Sequence, residues 1–274
     1  MAKTLLMAKT AINNKLRLFD THCHFDFDEF ASSFSEQISA ATHAQVDKIL
    51  IPSVGLSNWL RVKNLAAQYP ATLRYALGFH PYFLEQFSDE QLQLLEDELA
   101  LRESPCVAVG ECGLDSMVEA NSSLQERVFI AQLSIAQHAR LPIILHSRKT
   151  HNRLLQLIKQ QRFTQGGVLH AFSGSEQQAK QFIDLGFKIG IGGVITYPRA
   201  NKTRQAISRL PIEALVLETD APDMPLCGRQ GQTNHPKYLI HVLEELALLR
   251  DEDQEQLASQ LWANSLELFR MNDE

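Results

Sequence analysis

The sequence has no run of about 18 apolar residues, so no membrane-crossing helix is expected. It has no C-x-x-C pair either. Cys23, Cys106, Cys112 and Cys227 are irregularly spaced, which argues against a disulfide framework or a cysteine zinc site and fits a reducing cytoplasm. A basic excess is also missing: Lys and Arg number 26 against 32 Asp and Glu, a formal charge of -6. No overall positive field draws a polyanion, so any nucleic-acid contact must be local. No Gly-x-Gly-x-x-Gly follows the first apolar run, and no linker rich in Pro, Gly or Ser divides the chain. The apolar stretch between Lys3, Lys9 and Lys15 is too short for a secretory core and lacks a clear cleavage site. MAKT stands at Met1 and again at Met7, which points to an upstream start or to a cloning remnant. Residues 1–15 are expected to be a poorly ordered extension and 16–274 a single domain. Nothing calls for an obligate protein partner.

What is present is a rhythm. Eight short apolar runs alternate with amphipathic stretches: LRLFDTH from Leu16, KILIPSV from Lys48, RYALGFH from Arg74, VAVGECG from Val107, PIILHSR from Pro142, GGVLHAF from Gly166, FKIGIGG from Phe187 and ALVLETD from Ala214. Between the fourth and fifth, SLQERVFIAQLSIAQHAR has helical spacing and breaks at Leu141-Pro142. Eight such units in 274 residues, 45% of them hydrophobic, fit an α/β fold closed as a (β/α)8 TIM barrel better than an open doubly wound sheet.

In such a barrel the site forms at the C-terminal ends of the strands, and those ends are chemically biased. FDTHCHFDF, Phe19 to Phe27, ends the first run; read as a strand of period two, it puts Asp20, His22 and His24 on one face. The fourth run ends in Glu111, the fifth in His146, the sixth in His170 and the eighth in Asp220. All six of His22, His24, Glu111, His146, His170 and Asp220 are donors for divalent ions. Each alone has a plain structural reading: a hydrogen-bonded core histidine, a helix cap at Asp220, a solvated loop carboxylate at Glu111. Gathered at one mouth without a cation, they would leave two carboxylates and four imidazoles to satisfy one another. The expected assignment is His22, His24 and Asp220 to one ion, His146 and His170 to a second, and Glu111 between them. Two ions roughly 3.5–4 Å apart would share a hydroxide and polarise a phosphoryl or carbonyl oxygen. A single-ion site stays open.

Asp20 and Glu218, two residues before His22 and Asp220, are expected deeper on the same face, orienting the imidazoles. Arg148 is a candidate phosphate clamp, or a neutraliser of nearby carboxylates. His80, in GFHP, is a candidate substrate contact, and Arg229 a weaker one in the Pro- and Gly-rich segment expected to lie over the mouth. Gly190, Gly192 and Gly193 of the seventh run are expected to leave room for substrate, or to serve tight packing. His43, His138, His151, His235 and His241 read as surface or packing residues.

The ordered motifs DTHCHFD, VGECGLD, LPIILHSR, LHAFSG, LETDAPDMP and ANSLELF resemble the TatD-related metal-dependent hydrolases of the amidohydrolase superfamily, usually described as deoxyribonucleases. The likeness covers nearly everything after Lys15, and GGVITYPRA with TDAPDMPL resembles most a bacterial subgroup described only as metal-dependent hydrolases. The resemblance implies the same six ligands, with Asp220 also the acid/base acting on the attacking water. Cys112 stands where the family pattern usually has isoleucine, and His235 where RNEP-like sequences carry an acid. The expected function is a TatD-like phosphoesterase using two divalent ions (Zn, Mn, Mg, Ni or Co) on short, single-stranded or end-bound DNA or on a small phosphate ester. The alternatives are an amidohydrolase acting on an amide, lactone or small ester, and a non-catalytic metal-binding protein. Glu111 stands where many amide hydrolases of that superfamily use a modified lysine, which favours phosphate esters.

Overall fold

The computed structural model describes residues 16–102, 105–118 and 121–273; the expected extension at 1–15 lies outside them. Eight parallel strands form one sheet in sequential order: β1 (Leu18–Asp20), β2 (Val46–Pro52), β3 (Leu73–Leu77), β4 (Cys106–Asp115), β5 (Ile143–Arg148), β6 (Gly167–Leu169), β7 (Phe187–Ile191) and β8 (Leu215–Leu217). The Thr21 backbone N–H donates to the Leu217 carbonyl at 2.9 Å, which joins the last strand to the first. The result is a (β/α)8 barrel. Its strands are buried on both faces, which is why they appear in the sequence as nearly continuous apolar runs.

The helices are α1 (Asp28–Ala31), α2 (Phe34–His43), α3 (Leu56–Gln68), α4 (Glu90–Ala100), α5 (Ser122–Ala139), α6 (His151–Gln160), α7 (Glu176–Ile183), α8 (Asn201–Arg209), α9 (Leu239–Arg250) and α10 (Gln254–Leu268). Their ends follow local chemistry. Asn121 caps α5 through Ser123 N at 2.8 Å, and α7 opens with a reciprocal capping box between Ser175 and Gln178. One face of α6 buries Leu154, Leu155, Leu157 and Ile158. No helix among the described residues is long and apolar enough to cross a membrane.

Inside the barrel, Phe19, Leu50, Ala76, Ala108, Ile144, Val168 and Val216, one from each of seven strands, form a cluster that Trp262, Leu266 and Phe269 close from the N-terminal end. That plug fills the lower lumen and leaves the polar residues the opposite end. It also corrects the period-two reading of the first run. Phe19, not Asp20, faces the lumen, and β1 ends at Asp20, so His22 and His24 reach the mouth from the loop that follows.

Two local devices aim Glu111. Between the pairs Val109↔Ile143 and Cys112↔Leu145, β4 carries one residue more than β5, a bulge that turns Glu111 towards the mouth and puts Cys112 in the outer core. Gly78 and Gly110 permit the close approach beneath it: a Cβ on Gly78 would lie 2.6 Å from the Gly110 backbone. The seventh-strand glycines do not leave room for substrate. A Cβ on Gly190 would sit 2.3 Å from the Glu218 carboxylate, and one on Gly193 2.8 Å from the Met224 carbonyl, so these glycines serve tight packing.

Candidate metal centre

The C-terminal mouth opens into a cavity of ≈ 990 Å³ whose lining includes His24, His80, Glu111, His146, His170 and Asp220. Glu111 is at its centre, and its two oxygens face different partners. Oε2 lies 3.2 Å from His22 Nε2 and 3.4 Å from His24 Nε2, while Asp220 Oδ1 lies 3.4 Å from His22 Nε2. Oε1 lies 2.7 Å from His170 Nε2 and 2.8 Å from His146 Nδ1. The six expected donors therefore come together, divided by the two oxygens of one carboxylate.

Their hydrogen bonding is incomplete. Glu111 Oε2, the Nδ1 atoms of His22, His24 and His170, and Glu218 Oε2 are buried without a hydrogen-bond partner among the described residues. Glu111 Oε2 has two imidazole nitrogens within 3.4 Å, yet no N–H is aimed at it. Lone pairs converging in a buried space are costly unless a cation lies between them, so this donor set fits divalent metal. Ligand atoms of His22, His24 and Glu111 fall within 4.8 Å of one another, as do those of His80, Glu111 and His146.

The tautomers follow from the surrounding contacts. Asp115 Oδ2 is 3.1 Å from His146 Nε2. Burial raises the Asp115 pKa, but the His146 hydrogen bond and the Met117 N–H outweigh it and hold the carboxyl below its usual range, so it accepts and Nε2 carries the hydrogen. His146 Nδ1 is then the free donor atom facing Glu111. His80 is the converse: its Nδ1 accepts from the Tyr82 N–H at 3.0 Å, so Nε2 bears the hydrogen and points at Glu111 Oε1, 3.2 Å away. Burial also holds the His80 pKa below normal. His80 presents an N–H to the centre rather than a lone pair.

The remaining charges are strongly perturbed. Burial pushes Glu111 up, but the fields of His170, His80 and His22 outweigh it and hold the carboxylate ionised. Burial lowers His24 and His146, but the neighbouring carboxylates raise both to about 9. For Glu218 burial dominates and lifts the pKa to about 8. A divalent ion reverses the histidine shifts, because ligation requires neutral imidazoles.

Asp20 departs from its expected role. It accepts from the Thr219 N–H at 2.9 Å, the Thr219 hydroxyl at 2.6 Å and the His22 backbone N–H at 3.3 Å, so it holds the backbone that carries the ligands and not their rings. Glu218 sits beside the parallel-stacked rings of His22 and His170, with one ligand atom of each within 4.8 Å, and it accepts from the Ala171 N–H. Arg148 is exposed on the cavity lining, and its charge also helps to hold Asp115 down. Arg229 is outside that lining and stacks on Tyr238, with its guanidinium carbon 4.1 Å from the ring centre. The loop after β8 reaches the cavity through Asp223 and Met224, and Asn234 ties it back to the Thr219 carbonyl at 2.9 Å. His235 packs edge-on against Phe25 and Phe30. His151, expected as a surface or packing residue, lines the cavity from the first turn of α6.

An eight-stranded barrel with such a donor cluster at its mouth has the make-up of a metal-dependent hydrolase. The TatD-related DNase family profile matches residues 19–270, and the chain belongs to that family. It is 45% identical to the metal-dependent hydrolase YjjV of Escherichia coli K12 over 93% of this chain and 98% of that one. The crystal structure of YjjV superposes with a TM-score of 0.90 over 94% of this chain and 99% of that one. The 3'-5' ssDNA/RNA exonuclease TatD of Salmonella typhimurium is 34% identical over 93% of this chain and 99% of its own length.

Proposed function

We propose that the chain hydrolyses phosphodiester bonds of single-stranded nucleic acid from an end, with two divalent ions. The observation that carries this reading is the division of Glu111, whose Oε2 faces His22 and His24, with Asp220 beside His22, and whose Oε1 faces His146 and His170. His22, His24 and Asp220 would hold one ion, His146 and His170 the other, and Glu111 both. Imidazole and carboxylate donors accept Zn, Mn, Co, Ni or Mg, with supply deciding among them. When bound, such ions lower the pKa of water and polarise a phosphoryl oxygen.

The chain's own residues do the rest. Asp220 accepts the proton of the attacking water. The His80 Nε2–H donates to a phosphoryl oxygen as its charge grows. Asp115 fixes the tautomer and orientation of His146. Arg148, free of ion pairs among the described residues, binds phosphate at the rim. The similarity to an enzyme named as a single-strand exonuclease supports the substrate class. Four free cysteines fit the proposed cytoplasmic location.

The test is hydrolysis by chelated and metal-reconstituted protein of single-stranded DNA, a generic phosphodiester and a lactone panel, with Asp220→Asn as the blank. Metal-dependent phosphodiester cleavage that the variant lacks supports the reading. Turnover of lactones alone, under every metal, overturns it in favour of carboxylic ester or amide chemistry.

A further inference from the structure

Tyr82 and Phe83 are 62% and 49% exposed, and both line the cavity. Exposed aromatic rings beside a polar cavity are left uncovered for a ligand more often than by accident. The pair is also held in place. It lies in a short 3-10 turn, Pro81–Phe83, which opens with a proline and is capped by His80 through the Tyr82 N–H. The two rings meet edge to face at 5.1 Å, and the Phe83 ring lies 5.7 Å from that of His80. The turn is thus tied to the residue whose Nε2 is 3.2 Å from Glu111. Phe27, half-buried and stacked on His24 at 4.7 Å, extends the aromatic wall towards β1.

Facing this wall is a different surface. Arg148 ends β5 and Lys149 follows it, while Arg199 and Lys202 come after β7; all four are exposed and line the same cavity. None takes part in an ion pair among the described residues; Arg199 lies over the Tyr197 ring at 5.1 Å. In a ring of eight strands in sequential order β3 is diametrically opposed to β7 and β1 to β5, so the aromatics that follow β1 and β3 face the cations of β5 and β7. A chain of formal charge -6 has concentrated unpaired positive charge at this one rim. Of the carboxylates in the lining, Asp115 is committed to His146 and the Met117 N–H, while Asp223 stands on the β8 side and disfavours phosphate there.

A π-face opposite a cationic track is the pattern that binds an unpaired base and its trailing phosphates. A lactone or amide has no use for four cations, and in a duplex the end base is held in its pair and stack and is not free to swing onto the rings. We propose that Tyr82 and Phe83 stack the end base of a single strand, whose phosphates run across the mouth to Arg148, Lys149, Arg199 and Lys202. This rests on the nuclease reading above and names its substrate contacts. Base stacking is indifferent to sequence and to the sugar, so DNA and RNA ends are both accommodated.

The test removes each partner in turn. Single-stranded oligonucleotides with an intact or an abasic end nucleotide are compared on the metal-loaded enzyme and on the Tyr82→Ala, Phe83→Ala and double variants. Binding of phosphorothioate versions is measured by anisotropy. Tyr82→Leu keeps the bulk without the ring and controls for misfolding. The wild type is expected to prefer the intact end by about tenfold in KM, and the double variant to lose that preference. A generic phosphodiester without a base should suffer at least several-fold less from the same substitutions. Cleavage that ignores base loss, or equal losses on intact and abasic ends, overturns the stacking role while leaving the nuclease reading intact. Absence of any phosphodiester cleavage overturns the nuclease reading. In that event base-dependent binding to Tyr82 and Phe83 upholds the platform, and base-independent or absent binding overturns it.

Discussion

Both ends of the barrel hold charged side chains around a cavity, and the two differ in how those charges are satisfied. At the N-terminal end a cavity of ≈ 430 Å³ is lined by Lys188, Glu213, Glu267 and Arg270 among others. Lys188 Nζ reaches the Glu213 carbonyl at 2.9 Å and the Glu267 carboxylate at 2.7 Å, and Arg270 reaches the Gln165 side chain at 3.0 Å. Below the lumen plug Lys48 and Arg74 donate to the carbonyls of Ala71 and Pro70. At the C-terminal end the groups are more deeply buried, and five atoms, one each of His22, His24, Glu111, His170 and Glu218, have no hydrogen-bond partner among the described residues. The comparison teaches that charge in a cavity does not by itself mark a site. Buried charge whose lone pairs the protein has left open does, because folding without compensation would make it expensive.

That contrast can be broken by substitution. The largest expected effect is from Asp220→Asn, which should lower kcat by about 10³-fold or more with a much smaller change in KM, read by steady-state kinetics on a phosphodiester. Glu111→Gln should reduce bound metal as measured by elemental analysis; full occupancy with full activity would remove its shared role. Next, Asp115→Asn should weaken metal affinity or activity by about 10–100-fold, since the imidazole loses the group that fixes its tautomer.

Acidity sharpens the same contrast. His24 and His146 in the metal-free protein hold protons up to about pH 9, and an ion must displace them. Metal affinity should therefore fall as pH is lowered from 9 towards 6, by up to about tenfold per unit for each proton displaced, measured by titration with Zn or Mn. Arg148→Ala is expected to raise KM several-fold for phosphate esters and to leave carboxylic esters unaffected; equal losses on both would remove its phosphate role. Smallest of all, Lys188→Ala at the other end should leave kcat unchanged and cost about 1 kcal/mol in denaturant unfolding, because its ion-pair partner Glu267 is exposed and one bond to the Glu213 carbonyl is lost with it.

The fold was legible because most strand positions are buried on both faces, so residues 49–51, 75–77 and 143–145 stand out as apolar runs without alternation. The donor positions were legible because a barrel puts the last residue of each run at one end. Asp115 was not. Its strand was read as ending at Gly113, and only the bulge beside Glu111, which breaks the two-residue period, carries β4 on to Asp115. Asp20 was placed correctly in depth but not in role, because its partners come from Thr219 across the closing seam, a contact no local pattern encodes. Arg229 stands out in the sequence as the only arginine of its loop, and the Tyr238 ring that holds it is nine residues further along the chain.

The seam between β1 and β8 joins residues about 200 positions apart: Thr21 bonds Leu217, Asp20 bonds Thr219, and the His22 carbonyl accepts from Asp220. His22 and His24 leave the ribosome nearly two hundred residues before Asp220. A growing chain thus lacks Asp220, one member of this ligand set, for most of its synthesis. Ions captured early meet an incomplete ligand set, so firm loading waits for the ring to close, and a chain truncated before β8 should stay empty of tightly held metal.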